Sequence, residues 1–448
     1  MSVSLPDLAD ALLRAARDAG ADAAEALTIQ GTALSIDVRN GTLEMAERSE
    51  ATDLGLRVFV GHRSAITSAS DRSATTIAAM AERAVAMARE APEDPHAGLA
   101  DPQQLASGWD VATLELADAA AEPDPAALER AALEAEAAGL AVPGVSQVQS
   151  ANASYGAQSL YIAASNGFSG GYDRTSRSVS CVAIAGTGTE MERDYDGDAR
   201  VFQSDLRSAA EIGRLAGERS VERLSPRKPA TGTYPVLFDE RISSSLIGHL
   251  LSAANGSAIA RGSSWLEGCL GEQVLPDHLS IIEDPHRARV SGSRPFDAEG
   301  LPTARRAIVE NGVLTGWTLD LASARKLGMD STGNAARGVS GPPSPATWNT
   351  ALTQGSQGKA ELIAAMGTGL LVTSMIGSTI NPNTGDYSRG ASGFWVENGE
   401  ITHPVNECTI AGNLRDMLRR IIPANDARPW LSRVVPSLLI EGMTLAGD

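Results

Sequence analysis

The 448-residue chain is acidic, with 37 Lys and Arg residues against 55 Asp and Glu residues and a formal net charge of −18. Because proteins bind phosphate backbones with clustered Lys and Arg, this charge argues against a nucleic-acid partner. The length suggests two domains, and three widely spaced cysteines without a Cys-x-x-Cys pair indicate a reduced chain without a disulfide framework.

Neither a targeting segment nor a membrane span is expected. The N-terminal Ser4-Leu5-Pro6-Asp7 lacks a basic stretch followed by an apolar core. The longest apolar runs, such as Leu370-Leu371-Val372, are far too short to cross a bilayer. We therefore expect a cytoplasmic protein without membrane contact.

The first half of the sequence predicts helices and paired strands. Apolar residues at helical spacing, such as Leu8 and Leu12, predict a first helix, and Ser73 is a predicted N-cap. The helices are expected at residues 5–19, 73–90, 125–138 and 205–224. The strands are expected at residues 25–29, 33–38, 54–60, 63–68, 159–163 and 179–184, with turns at 30–32 and 61–62. Residues 226–229 form a predicted linker.

An acidic run near the end of this half resembles a calcium loop only in part. Asp194, Asp196 and Asp198 alternate around Gly197, but no Glu follows at the spacing of an EF-hand. We interpret the run as a solvated acidic turn.

The second half opens with a predicted strand at residues 234–238 and a helix at 242–254. Short strands follow at 279–282, 307–310, 313–319, 370–376 and 393–397, and a last helix is expected at 413–421 with Asn413 as its N-cap. Residues 385–390 are interpreted as a loop. Because helices and strands do not alternate regularly, the expected fold class is α+β.

Several stretches, in this order and spacing, resemble the TldD/PmbA family, the modulators of DNA gyrase. They are Gly20 to Glu25, Asn40 to Glu44, Gly55 to Val58, Glu310 to Gly316, Ser331 to Asn334, Glu397 to Ile401 and Pro404 to Leu414. The resemblance spans nearly the whole chain. It implies a two-domain fold, with an N-terminal α/β sandwich-like domain at 1–225 and a strand-rich C-terminal domain at 230–448.

The resemblance also places a degenerate metal site on the helix at 242–254. In the TldD branch this helix reads His-Glu-x-x-x-His and binds a catalytic zinc, whereas here Ser244 and Ser245 replace the first two residues and His249 remains. The family's C-terminal Cys is also absent from the matching residues 425–437. Since zinc needs three or four protein ligands, we expect no zinc in this chain.

The serine cluster and a glycine-rich stretch suggest two other kinds of site. Ser245 and His249 stand at i and i+4, but neither a strained turn nor an orienting carboxylate accompanies this serine cluster, so serine catalysis is not favoured. The second kind is a peptide site: Asn381, Asn383, Tyr387 and Arg389 offer donors to an extended peptide, although turn chemistry explains this glycine-rich stretch as well.

The resemblance implies the PmbA, or TldE-like, branch: a partner subunit that forms a heterodimer with a TldD-like zinc metalloprotease and helps it process or degrade unstructured peptides. The zinc is then expected in the partner. Two alternatives stay open, a peptidase in its own right and a homodimeric peptide-binding protein without catalysis.

Overall fold

The first half of the chain builds one six-stranded antiparallel sheet in the computed structural model, which describes residues 3–447 apart from the side chain of Ser378. Its helices are α1 (Leu5–Asp18), α2 (Ala74–Glu90), α3 (Pro125–Leu140) and α4 (Ala209–Glu222). Its strands are β1 (Ala23–Arg39), β2 (Thr42–Val60), β3 (Arg63–Ala69), β4 (Val145–Ala164), β5 (Ser169–Ala185) and β6 (Glu192–Arg200). The strand order is β3-β2-β1-β4-β5-β6.

The four helices of this half pack on the same face of the sheet. Alternate residues of β1 point to that face: Ala24 and Ala26 join the core with α1 and α2, whereas Leu34 and Ile36 join the core with α3 and α4. The opposite face, which carries Leu27, packs against residues of the second half. The sheet therefore has a helical layer on one side and faces the second half on the other.

Most of the helices and hairpins of this half were predicted, but β1 was not predicted correctly. Ser73 caps α2 by accepting the Thr76 N–H at 3.2 Å, as expected. The turn predicted at residues 30–32 is wrong, because β1 runs straight through Gly31, which pairs with Ala51 of β2 and Gln158 of β4. Pairing with the long strands β2 and β4 on both sides keeps Gly31 in an extended conformation.

The acidic run lies on strand β6, so its interpretation as a solvated turn is wrong. Asp194, Asp196 and Asp198 are only 5–8% exposed, because alternation along a strand puts all three on one face. Arginines neutralise them: Arg223 and Arg241 contact Asp194 at 3.4 and 2.9 Å, Arg207 and Arg219 contact Asp196 at 2.7 and 2.8 Å, and Arg200 contacts Asp198 at 2.9 Å. We call this set the aspartate ladder.

The second half is richer in short strands. Its helices are α5 (Glu240–Ala253), α6 (Gly256–Ala260), α7 (Leu321–Leu327), α8 (Lys359–Met366) and α9 (Leu414–Leu418). Its strands are β7 (Gly232–Phe238), β8 (Ile281–Glu283), β9 (Arg306–Glu310), β10 (Val313–Leu314), β11 (Ala335–Ala336), β12 (Ser344–Pro345), β13 (Thr350–Leu352), β14 (Gly369–Ile380), β15 (Asp386–Glu397), β16 (Glu400–Asn413), β17 (Ile422–Pro423), β18 (Arg433–Val434) and β19 (Leu438–Ala446). This mixture of elements confirms the α+β fold class.

Five of these strands close into a ring that supports α5. The order β16-β15-β14-β7-β19 closes because β19 also pairs with β16. Val236 and Phe238 of β7 face the core shared with α5, whereas Leu237 between them faces the core shared with α8. A smaller sheet, β10-β9-β8-β13-β18, lies beside the ring.

Buried ion pairs join the two halves. Arg241 of α5 contacts Asp194 of β6, and Arg337, which is almost fully buried, contacts Glu25 of β1 at 2.9 Å. The first sheet ends at Arg200 and the second begins at Gly232, and the division into 1–225 and 230–448 stays a prediction. None of the helices within residues 3–447 is long and apolar enough to cross a membrane.

Candidate functional site

Helix α5 presents the degenerate motif on its solvent-facing side. Asp239 begins the helix by accepting the Arg241 N–H at 3.1 Å. The opposite side is buried through Leu246, Ile247 and Leu250. Helical spacing therefore places Ser244, Ser245, Gly248 and His249 on a half-exposed face.

The serines beside His249 are engaged with the helix backbone. The Ser245 hydroxyl donates to the carbonyl of Ile242 at 2.8 Å, and the Ser243 hydroxyl lies 3.5 Å from the carbonyl of Glu240. Such back-bonding is common for serine within helices. Since the Ser245 proton is donated to a carbonyl, His249 does not activate this hydroxyl as a nucleophile in this arrangement.

His249 is held as a neutral imidazole in a cationic environment. Its ring meets Tyr387 edge to face at a centroid distance of 6.1 Å, and its Nε2 is buried without a hydrogen-bond partner. Burial lowers the pKa of His249, and the positive charges of Arg389 and Arg433 lower it further.

Arg433 belongs to the site although no motif in the sequence predicts it. It lies on β18, and its Nη1 is 2.7 Å from the place where a Cβ on Gly248 would stand. The missing side chain at Gly248 therefore lets the guanidinium rest directly on α5. Burial lowers the pKa of this group as well.

The four predicted peptide-binding residues separate into two pairs. Tyr387 and Arg389 lie two residues apart on β15, and so on the same face of the strand, and both reach the His249 site. The loop predicted at residues 385–390 is therefore wrong from Asp386 onward. Tyr387 is only 1% exposed, and its hydroxyl donates to the sulfur of Met375 at 3.3 Å. Burial raises the pKa of Tyr387 to about 12.

The other pair lies away from this site, in the turn between β14 and β15. The Asn381 side chain accepts the backbone N–H groups of Asn383 and Thr384 at 2.9 and 3.3 Å, which is an Asx-turn. Both asparagines are exposed. The structure thus brings two of the four residues to His249.

The groups around His249 do not fit a zinc ion. Zinc needs three or four ligands such as imidazole, thiolate or carboxylate, and His249 is accompanied by two guanidinium groups and two hydroxyls. Cys408 is buried, with its thiol donating to the carbonyl of Ala391 at 3.2 Å. Among residues 3–447, no group of three or more His, Cys, Asp and Glu side chains is arranged to hold a metal ion.

Comparison with known proteins identifies the family of the chain. Three family models match it: PmbA/TldA metallopeptidase domain 1 at residues 24–88, the central domain at 106–224 and the C-terminal domain at 231–447. The chain belongs to the PmbA/TldD metallopeptidase family. The predicted resemblance is therefore confirmed.

Individual PmbA/TldD members match over nearly the full length. The chain is 39% identical to Metalloprotease PmbA of Escherichia coli O157:H7, covering 95% of this chain and 93% of the relative. It is 37% identical to a PmbA homolog of Haemophilus influenzae, covering 97% and 94%. The similarity is thus a property of the whole chain.

Solved structures of the PmbA/TldD family share the fold. A putative modulator of DNA gyrase from Bacteroides thetaiotaomicron matches with a TM-score of 0.92 at 28% identity and covers all of both chains. TldE from Thermococcus kodakarensis matches with a TM-score of 0.84 at 20% identity, covering 98% of this chain and all of that chain. The latter likeness is evidence for the fold alone.

Proposed function

We propose that this chain is the subunit without zinc of a cytoplasmic two-chain peptidase that processes or degrades unstructured peptides. A TldD-like relative with the intact His-Glu-x-x-x-His helix would be its partner and would hold the zinc. The observation that carries the proposal is the set of groups around His249, where guanidinium and hydroxyl groups surround the remaining imidazole. Relatives bear the name metalloprotease, but the ligands for the metal would then come from the partner.

The sheet of the first half supports a role in peptide binding. Its face opposite the helices carries a cavity of about 450 Å³ with small side chains in its lining, including Gly31, Ala33, Ala51 and Gly156. Small residues leave room for an extended backbone close to the sheet. We infer that this cavity is part of the space in which the two subunits confine a peptide.

An unpaired strand edge lies next to this cavity. Strand β3 pairs with β2 only from Leu54 onward, so within the described chain residues 42–53 have no strand partner on that side. Edges of this kind accept an extended peptide as an added strand. Because folded proteins usually protect their own strand edges, an unstructured chain fits this edge more readily, which supports selectivity for unstructured chains.

Peptidase activity and zinc content together test the proposal. We would purify this chain and the relative with the intact His-Glu-x-x-x-His helix from the same genome, separately and mixed. Cleavage of an unstructured peptide and about one zinc per heterodimer are expected only when the relative is present. Size-exclusion chromatography with light scattering would show whether the two chains assemble.

Each alternative predicts a different result. Stoichiometric zinc and activity in this chain alone, both lost in His249→Ala, would overturn the proposal in favour of a peptidase in its own right. A stable homodimer that binds peptide but ignores the relative would favour the homodimeric binding protein.

A further inference from the structure

We propose that Arg389 and Arg433, together with the His249 ring, form a binding site for a carboxylate group of the peptide. The inference deepens the function proposed above and rests on it for the nature of the ligand. The site lies on the half-exposed face of α5, where the family's zinc-binding branch carries its motif.

The position of Arg433 is the first support. Its guanidinium reaches the helix because Gly248 has no side chain, and it lies 2.7 Å from where a Cβ would stand. The side chain is half-buried, and no hydrogen bond or ion pair links it to another residue within 3–447. A partly buried cation normally has an anionic partner, because desolvation of an unpaired charge is costly.

Arg389 and His249 each have a buried side-chain nitrogen without a partner. The Arg389 guanidinium hydrogen-bonds to the Tyr387 hydroxyl, but its Nε is buried without a partner. The Nε2 of His249 is likewise buried and unpartnered. None of the ion pairs in the described chain gives Arg389 or Arg433 a carboxylate. Three side chains with polar atoms that lack partners therefore meet at a site with an excess of positive charge.

A carboxylate satisfies these groups best. Guanidinium groups present parallel N–H donors that match the two carboxylate oxygens, and a neutral imidazole protonated on Nε2 can donate a further hydrogen bond. The net charge of −18 repels multiply charged anions from a distance. A peptide with a single negative group is repelled least, which favours it over phosphorylated ligands.

The His249 side chain itself can report the binding. We would label histidine with ¹³C and follow its ring signals by NMR during a peptide titration, on this chain alone and in the complex with the zinc-binding relative. The ligand is an unstructured peptide without Asp or Glu and with a free C-terminus. Two further peptides, one amidated at the C-terminus and one amidated but containing a single Glu, separate the two possible sources of the carboxylate.

Binding of either carboxylate-bearing peptide is expected to shift the His249 signals. It is also expected to raise the pKa of His249, because the anion offsets the two arginines that lower it in the free chain. Arg433→Gln should weaken this binding by about tenfold or more, the loss expected when a charge-assisted hydrogen bond is removed.

Two variants separate a direct effect from a folding defect. Gly248→Ala keeps every charge and favours the helix, but its methyl group would displace the flexible end of Arg433, so it should weaken binding as well. Arg72→Gln removes one exposed arginine elsewhere and should bind like the unmodified chain.

Several results would overturn the inference. Equal binding of the amidated peptide without Glu would show that no carboxylate is needed, while the proposed function would stand. If inorganic phosphate binds as tightly as the peptide and competes with it, the assignment of a carboxylate as the ligand is wrong. Unchanged His249 signals with every peptide, in both preparations, would remove the site, whereas peptidase activity of the mixture would still decide the proposed function.

Discussion

Replacing Asp194 with Asn tests the aspartate ladder and the junction between the two halves. The Asp194 side chain is 6% exposed, and its partners Arg223 and Arg241 are each 10% exposed. Asn keeps the size of the side chain and removes its charge. Breaking a buried pair by removing one partner costs roughly 3–5 kcal/mol, because a charge is left without compensation.

The remaining contacts of the two arginines place the expected loss at the lower end of that range. Arg223 still donates to the Ser392 hydroxyl at 2.7 Å, and Arg241 still contacts Asp239 at 3.3 Å. We therefore expect Asp194→Asn to lower the free energy of unfolding by about 3 kcal/mol. Urea denaturation followed by far-UV circular dichroism would measure the change.

Glu407→Gln provides a matched control. Glu407 contacts Lys228 at 3.2 Å, but the two side chains are 71% and 54% exposed, and an exposed pair contributes about 0–1 kcal/mol. The double variant Asp194→Asn/Arg241→Gln should lose less stability than the sum of its single variants, because the two residues share one contact. An Asp194→Asn variant as stable as Glu407→Gln would refute the reasoning.

Three further predictions concern packing, thiols and pH. Gly213→Ala should lower the free energy of unfolding by about 1–3 kcal/mol through overpacking, because its Cβ would stand 1.9 Å from the carbonyl oxygen of Ala135 on α3. The change would be seen as a lower thermal midpoint. Gly338→Ala, with open space around it, is the control, and equal thermal midpoints of the two variants would contradict this account. Burial raises the pKa of Cys181 to about 12 and of Cys408 to about 11. A thiol reagent should therefore label only Cys269 quickly in the native protein. A fast labelling phase that survives in Cys269→Ser would show that Cys181 or Cys408 is accessible. Burial alone would raise the pKa of Asp239, but Lys359 and Arg241 lower it below its usual 3.8. Its contribution to stability is therefore present above that pH and is lost as the pH falls through the lowered pKa. Lys359→Gln should reduce this loss in denaturation measured from about pH 6 to pH 3, and an unchanged dependence of the unfolding free energy on pH would speak against the pairing.

Local signals predicted much of the fold. The Ser73 cap, the 61–62 turn and the apolar spacing of α1 are encoded within a few residues, and the structure has the corresponding elements. The sequence is misleading at the aspartate ladder because four of the five arginines that neutralise it lie within α4 and α5 or within two residues of α4. The residues of the acidic run do not by themselves distinguish a buried acidic strand from an acidic turn. The difference depends on how those helices pack against the run.

The candidate site was predictable only in part, for the same reason. Family resemblance and spacing pointed to His249, Tyr387 and Arg389, and the structure brings these three together. Arg433 comes from a two-residue strand far along the chain, and the only hint of its place is the glycine at 248. Asn381 and Asn383 have side chains suited to binding, but their chemistry equally suits the turn in which they lie.

The aspartate ladder also fixes how β6 aligns with its neighbour. A slip of one residue along β5 would turn all three carboxylates away from the arginines and put Tyr195 and Gly197 in their place. Tyr195 is 52% exposed in the observed alignment. Buried charge on an edge strand thus selects a single alignment, and it discourages pairing of this edge with a second molecule.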